Sequence, residues 1–472
     1  MDASEELGFV FSSGDSLLKN RALLGPGFVF SSLERHAAAE TCKDLVMASV
    51  QPAPARERLT PNQVRGFWAA WGGWALDGMD SFIYALVMQP ALRELLPRSG
   101  ISADAGAVGY YGGLLFALFL FGWGLSMLWG PIGDCFGRVK TLALTILCYS
   151  LFTFAGALAA SVWQLALFRL IAGIGIGGEW TIGGTFVAEE WPESRRKMGA
   201  GLMQTGYYFG ILMAALLNAT VGAAFGWRAM FAIGGLPAFL VLLINRGVRE
   251  PARWKPPESA RRAMAMLFSP EYRRRTALNA IYLLVSIAGL WAGTVYVPSA
   301  AAFLAAKQGA SAIEATRMGS YATVLVSIAT ILGCIALPPL AERFGRRWTL
   351  AFYFLLMFAS IAFGFGYAYY LQSHALAWFL ASLAVLGFGG ANFAMYSLWL
   401  PEQYRTECRA SAFGFATSSG RFLGAGVTLL VGWAVGRMAT IGTPVAFTSL
   451  AFLVGIFLLP WGVETRGQKL PE

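Results

Sequence analysis

GPIGDCFGRVKTL, from Gly130 to Leu142, and PPLAERFGRRWTL, from Pro338 to Leu350, are two copies of one short polar sequence, each wedged between long apolar runs. Asp134, Gly137 and Arg138 of the first copy correspond to Glu342, Gly345 and Arg346 of the second, 208 residues further on. An acid, a glycine and a cluster of basic residues are too costly to leave in hydrocarbon, so each copy predicts a tight turn at a membrane surface. The chain reads as a duplicated membrane protein.

Working outward, the composition agrees. With 57% hydrophobic residues, 13% charged and 55 glycines in 472 residues, a soluble globular class is excluded. A bilayer core of ~30 Å takes about 20 helical residues to cross. Apolar stretches suited to this fall at 66–88, 107–129, 141–160, 163–188, 198–222, 227–245, 277–304, 320–340, 348–371, 375–400, 410–436 and 441–461. The expected fold is an all-α polytopic membrane protein, with twelve transmembrane helices in two pseudo-symmetric six-helix bundles. If both termini are cytoplasmic, inner turns and linker carry nineteen basic residues against six in the outer turns. That asymmetry sets the orientation and places the chain in the inner, or plasma, membrane. The formal charge of +10 then reflects a basic inner face on anionic lipid, and no nucleic-acid partner is expected.

Residues 1–60 read as a disordered tail: charged throughout, without the apolar core of a secretory signal, and ending in a Pro-rich polar stretch. The tail repeats GFVFSS at Gly8 and Gly27, and Met47 is a candidate for the natural start. The first bundle is expected over 61–245, a charged cytoplasmic linker over 246–276, the second bundle over 277–462 and a cytoplasmic tail over 463–472. A short amphipathic helix is expected in the linker around Ala260 to Phe268. Cys42, Cys135, Cys148, Cys334 and Cys408 show no CxxC spacing, and the chain has two histidines, so neither a disulfide framework nor a metal site is expected. The repeat also pairs Arg195, Gly206 and Gly210 with Arg409, Gly420 and Gly424, 214 residues apart. Two facing homologous bundles suit alternating access, with a site near the midplane.

Several motifs carry a family resemblance. Gly130, Asp134, Gly137, Arg138 and Lys140 are similar to the GxxxDxxGRxx turn of the major facilitator superfamily, with a degenerate copy at Glu342, Gly345 and Arg346. RLIAGIGIGGEW, Arg169 to Trp180, resembles the fourth-helix pattern of its metabolite:proton symporters, and ALDGMDSF, Ala75 to Phe82, the first helix of its aromatic-acid, sialic-acid and carboxylic-acid symporters. REPARW (Arg249 to Trp254) and VETRG (Val463 to Gly467) are similar to the PESPRW and PETxG markers. Gly133, Cys135 and Val463 depart from the usual residues, and the fifth span lacks the Gly-Pro pair of drug antiporters. The resemblance covers about residues 61–467. It implies that Asp134 meets the positive end of the eleventh helix, and that the basic residues of the turns bridge the halves as a cytoplasmic gate.

Charges inside spans cost a few kcal/mol unless paired or hydrated, which singles out Asp77, Asp80, Arg169, Glu179 and Arg421. At ~1.5 Å per residue, Asp77 sits roughly 17 Å and Asp80 roughly 21 Å from the inner surface, and Arg169 is level with Asp80. Asp77 and Asp80 share a helix face, so the pair, with Glu179 as a further acid, is a candidate for carrying a proton. The alternative is a structural network in which Arg169 neutralises Asp80. Arg421, roughly 16 Å up its helix, could grip a substrate carboxylate with its fork, or form an ion pair with Glu179 or Asp77. Arg169, Gln204, Tyr207, Asn279, Trp291, Asn392 and Tyr396 complete the candidate lining, each with a satisfied interhelical hydrogen bond or an aromatic packing role as its alternative.

The reading is a secondary transporter taking up a small organic anion (a carboxylic, aromatic or sialic acid) with protons. It needs no cofactor beyond the proton gradient, and its expected partners are the anion, protons and the lipid bilayer, as a monomer. A sugar porter and a transporter-like nutrient sensor are the alternatives. HExxH, GxSxG and Ser/His pairings are absent, so an enzyme is not expected.

Overall fold

The structure, a computed structural model, describes residues 59–471 apart from 240, 242–246 and 439. The expectations for residues 1–58, including the start at Met47, lie outside the described residues.

Every regular element among them is helical. α1 (Pro61–Arg98) opens with a capping box between Thr60 and Gln63 and runs for 38 residues, about twice the hydrocarbon thickness. It outruns the predicted span because its outer end, with Arg93, Glu94 and Arg98, is too charged to register as apolar. That end is fastened: Glu94 accepts hydrogen bonds from Trp227 Nε1 and from Arg228, both at 2.7 Å, and Arg228 also donates to the Ala159 carbonyl at 3.0 Å. The second span is α2 (Ala105–Leu125), a 3-10 turn at Ser126–Leu128 and α3 (Trp129–Phe136). The first half continues with α4 (Arg138–Ala157), α5 (Val162–Glu190), α6 (Glu193–Leu217) and α7 (Ala223–Ile233).

The linker contains α8 (Ala260–Met266), where a short helix was expected. The second half comprises α9 (Arg273–Val295), α10 (Val297–Lys307), α11 (Ala312–Phe344), α12 (Arg346–Gly366), α13 (Ala375–Gly390), α14 (Phe393–Trp399), α15 (Arg409–Met438), α16 (Gly442–Thr448) and α17 (Leu450–Leu458). Several predicted spans are interrupted. The seventh breaks before Pro298 in the first turn of α10, where the missing N–H starts a new helix, and the tenth breaks after Gly389 and Gly390. The twelfth is divided between α16 and α17 at Ser449.

The two quoted turns are as tight as their sequences require. One residue separates α3 from α4, Gly137 at φ 106°, and one separates α11 from α12, Gly345 at φ 87°. With ψ near 160° in both, this is backbone that a side chain at Cβ would strain, which is why the acid–glycine–arginine order recurs.

Among the described residues, eight helical stretches are long and apolar enough to cross a membrane: 114–136, 138–157, 162–190, 193–222, 317–344, 346–370, 375–403 and 442–461. α1 and α15 are diluted by their buried polar residues, Asp77, Asp80 and Ser81 on one and Ser411, Thr417, Ser418 and Arg421 on the other. Both line the central site. Large apolar side chains such as Phe121, Leu144, Leu151, Leu332 and Phe352 are exposed on the outer surface, as a lipid-facing belt requires.

The glycine repeat has a packing cause. A Cβ on Gly206 or Gly210 of α6 would strike the Trp71 or Ala75 carbonyl of α1, and one on Gly420 of α15 would strike the backbone of α9 at Leu283 and Leu284. The first and seventh spans are thus seated on the fifth and eleventh in the same way. Between the halves, Gly130 of α3 approaches Ala410 and Ser411 of α15, and Gly201 of α6 approaches Cys334 and Pro338 of α11.

Candidate functional site

The five charged side chains singled out within the spans are all buried. Asp77 and Asp80 (α1), Arg169 and Glu179 (α5) are fully buried, and Arg421 (α15) is 5% exposed. The structure brings Asp80 and Arg169 together as an ion pair at 3.4 Å. Arg169 also lies over the rings of Phe119 and Tyr84, 4.4 and 4.9 Å from their centroids, so aromatic faces supply part of what the carboxylate does not.

Asp77 is arranged differently. Neither of its carboxylate oxygens has a hydrogen-bond partner among the described residues. Glu179 reaches α1 because Gly73 leaves room: a Cβ there would stand 2.1 Å from Glu179 Oε1. Gly73 is one helical turn inward of Asp77. Glu179 is likewise without a hydrogen-bond partner among the described residues. The two aspartates of α1 thus differ: Asp80 is paired with Arg169, and Asp77 has no hydrogen-bond partner among the described residues.

Arg421 enters from the other half. Its Cζ sits 4.3 Å from the Trp123 ring centroid and 5.6 Å from that of Trp180, and its Nη1 has no hydrogen-bond partner among the described residues. The Trp180 ring is stacked on Trp74 at 5.6 Å and 13°, and Trp74 packs on Tyr207 at 4.8 Å. Gln204, one turn inward of Tyr207, is buried with an unpartnered Oε1. A buried guanidinium lying on indole faces, with an Nη1 that has no hydrogen-bond partner among the described residues, can receive an arriving anion. The three tryptophans were not singled out from sequence, although Trp180 ends the quoted RLIAGIGIGGEW.

Three expected lining residues are otherwise engaged. Asn279 bonds Gln403 and the Tyr404 hydroxyl, each at 3.1 Å, at the cytoplasmic end of the second half. Tyr396 shares hydrogen bonds with Ser286 at 2.6 Å and the Tyr282 carbonyl at 2.8 Å, inside that half. Both take the satisfied-polar reading, because buried polar groups on facing helices pair wherever they can. Asn392 donates to the Gly389 carbonyl at 2.9 Å, and its Oδ1 has no partner. The Trp291 side chain lies outside the described residues.

The two turns organise the cytoplasmic end. Asp134 accepts hydrogen bonds from the Ala410 and Ser411 amides at 3.2 and 2.8 Å, from the Ser411 hydroxyl, and from Arg138 at 2.8 Å. An anion thus sits on the N-terminus of α15, where the helix dipole favours it. Arg138 also binds Glu189 at 3.0 Å, and Glu189 binds Arg409 of the other half at 2.8 Å. The second half repeats this in mirror order: Arg346 binds Glu402 at 3.0 Å, and Glu402 binds Arg196 of the first half at 3.1 Å. Glu342 adds a bond to Lys197 across the halves at 2.6 Å. Lys140 is a correction: its side chain is exposed, and only its backbone N–H takes part, donating to Glu250 at 3.3 Å. The buried counterpart of Arg409 is Arg196 rather than Arg195. Its signal was legible as Glu189 to Arg196 and Glu402 to Arg409, the same spacing in both halves.

The quoted markers hold these turns in place. Glu250 of REPARW accepts from the amides of Arg138, Val139 and Lys140, and Trp254 donates to the Asp134 carbonyl at 2.9 Å. Glu464 of VETRG accepts from the amides of Arg346 and Arg347, and Thr465 donates to Glu402 at 2.5 Å. Beyond it, Arg409 donates to the Pro471 carbonyl.

The model of the Major Facilitator Superfamily matches residues 70–429. A probable 4-methylmuconolactone transporter of Cupriavidus pinatubonensis is 30% identical, the alignment covering 86% of this chain and 92% of that protein. The niacin transporter NiaP of Acinetobacter baylyi is 29% identical over 85% and 94% of the two chains. Among solved structures, the proton:xylose symporter XylE bound to 6-bromo-6-deoxy-D-glucose is similar with a TM-score of 0.71 at 19% identity, covering 87% of this chain and 98% of that one.

Proposed function

The chain belongs to the Major Facilitator Superfamily, and on that premise we propose that it takes up a small organic carboxylate together with protons. It is a multi-pass membrane transporter and not an enzyme. The observation that carries the substrate class is Arg421: a buried guanidinium with an unpartnered Nη1, lying on Trp123 and Trp180. Niacin, in the name of one relative, is a carboxylate on a planar ring, which a guanidinium fork and an indole face suit. The likeness to a xylose symporter, at 19% identity, supports the fold and does not favour a sugar.

In this reading Arg421 receives the carboxylate, with Tyr207 and Gln204 beside it. Asp77 and Glu179 carry the coupling proton, and the Asp80–Arg169 pair holds the neighbouring helices and responds to their charge. Asp134, Arg138, Glu342 and Arg346, with Gly130, Gly137 and Gly345 giving the close approaches and turns, close the cytoplasmic side. The moving bodies are residues 61–245 and 277–462, joined by the linker 246–276, with both termini cytoplasmic in the inner membrane.

Proteoliposome uptake tests this with labelled benzoate, nicotinate and cis,cis-muconate, xylose as the neutral control, with and without an inward pH gradient. Accumulation of a carboxylate above its external concentration only under the gradient is expected. Gradient-driven xylose uptake with no carboxylate transported would overturn the reading.

A further inference from the structure

Trp180 ends the fourth-span motif, and its contacts reach beyond the Arg421 guanidinium. It lies on α5 of the first half, buried to 1% exposure. One face is stacked on Trp74 of the same half. The remaining contacts belong to the other half: Phe413 of α15 at 5.1 Å, Phe393 of α14 at 5.9 Å, and a hydrogen bond of 2.9 Å from its Nε1 to the Ser397 hydroxyl of α14. Phe413 in turn lies against Gly184, one turn further along α5, where a Cβ would come within 2.7 Å of the ring.

Depth gives this cluster its meaning. Phe413 precedes Arg421 by eight residues on α15, about 12 Å nearer the cytoplasm at 1.5 Å per residue. The Trp180 ring touches Phe413 and stands 5.6 Å from the Arg421 guanidinium, so it occupies the level between them. The ionic tier of Arg138, Glu189, Arg409, Arg196, Glu402 and Arg346 lies further inward, around the start of α15. A solute leaving Arg421 for the cytoplasm meets the indole first.

We propose that Trp180 is the inner gate immediately beneath the Arg421 chamber, and that its hydrogen bond to Ser397 is the latch. The stack on Trp74 ties the indole to its own half, so when the halves part on the cytoplasmic side the ring stays and the bond to Ser397 breaks. Indole Nε1 is a donor only, and the Ser397 hydroxyl is its acceptor. On opening, this bond is exchanged for bonds to water, so its net worth favours the closed arrangement. The proposal holds for any cargo that passes Arg421.

Thiol labelling reads the gate without a known ligand. In a chain whose native cysteines are replaced by serine, Ser418→Cys puts a thiol on α15 three residues inward of Arg421, beside Ser126 of the other half. Inside-out vesicles are treated with a membrane-impermeant methanethiosulfonate cation. Adding Trp180→Phe, which keeps a ring but loses the donor, or Ser397→Ala, which loses the acceptor, is expected to raise the labelling rate about fivefold, the worth of one net hydrogen bond. Ser397→Thr, which keeps the hydroxyl, should label like the parent. The double variant Trp180→Phe/Ser397→Ala should be no faster than either single one. Rates within twofold of the parent in both single variants would overturn the proposal, as would a rise confined to Trp180→Phe. If Trp180→Phe does not fold, Ser397→Ala against Ser397→Thr decides alone.

Discussion

Arg421 and Asp134 are both buried charges, and they differ in what completes them. Asp134 is saturated by two amides, a hydroxyl and a guanidinium. Arg421 rests on aromatic faces, and its Nη1 has no hydrogen-bond partner among the described residues. The first pattern holds a structure closed, and under the proposed function the second is completed by the ligand. Arg421→Lys keeps the charge but loses the planar fork and its fit to the indoles, so the half-saturating carboxylate concentration in counterflow should rise more than tenfold, about 1.4 kcal/mol or more. A lysine variant with the parent's value would make Arg421 a packing residue. Asp134→Asn leaves Arg138 short of a carboxylate in a dry site, at a cost of about 3 kcal/mol to the closed cytoplasmic side. Labelling of Ser418→Cys from that side should then rise on the order of a hundredfold, while an unchanged rate would reduce Asp134 to a turn residue. Depth arithmetic at 1.5 Å per residue was enough to set Asp80 level with Arg169, because both sit on uninterrupted helices. The same arithmetic says nothing about azimuth, so it could not show that Glu179 reaches α1 at Gly73. Nor does a tryptophan in an apolar run announce whether it packs, anchors or lines a chamber, which hid Trp74, Trp123 and Trp180.

At the scale of elements, the two one-residue turns depend on partners far away in sequence. Glu250 gathers three amides at the start of α4, and Glu464 gathers two at the start of α12. A carboxylate at a helix N-terminus contributes about 0.5–2 kcal/mol. Glu250→Gln and Glu464→Gln should therefore each lower the thermal unfolding midpoint in detergent. An unchanged midpoint in either variant would show that its turn is held without those amides. These helix ends were legible because charge at a membrane surface is rare and repeated here. The broken seventh, tenth and twelfth spans were not, since hydropathy runs on unaltered through Tyr296 and Asn392 while the backbone changes course. Asn279 and Tyr396 were misplaced for a related reason. Polar residues in an apolar helix look alike in sequence whether they face a chamber or one another, and only the facing helix, with Gln403 or Ser286, distinguishes them.

At the scale of the whole molecule, two tiers separate Arg421 from the cytoplasm, one aromatic and one ionic, and both join the halves. The acids that would carry protons all belong to the first half. If Asp77 is one of them, Asp77→Asn imitates its protonated form, so labelled carboxylate should still exchange for unlabelled carboxylate across the membrane while accumulation under a pH gradient is lost. Accumulation retained in full would pass the role to Glu179. The same buried set has an electrical consequence. Asp77, Asp80 and Glu179 stand against Arg169 and Arg421, three acids to two bases. If the carrier changes sides only when this buried set is neutral, the empty carrier returns with one proton, and the carrier loaded with a monocarboxylate crosses with two. One proton then accompanies each anion and no net charge moves. With potassium and valinomycin holding the vesicle potential at zero or at −100 mV under a fixed pH gradient, steady accumulation should differ by less than twofold. A carrier moving one net charge would gain about 2.3 kcal/mol from that potential, roughly fiftyfold.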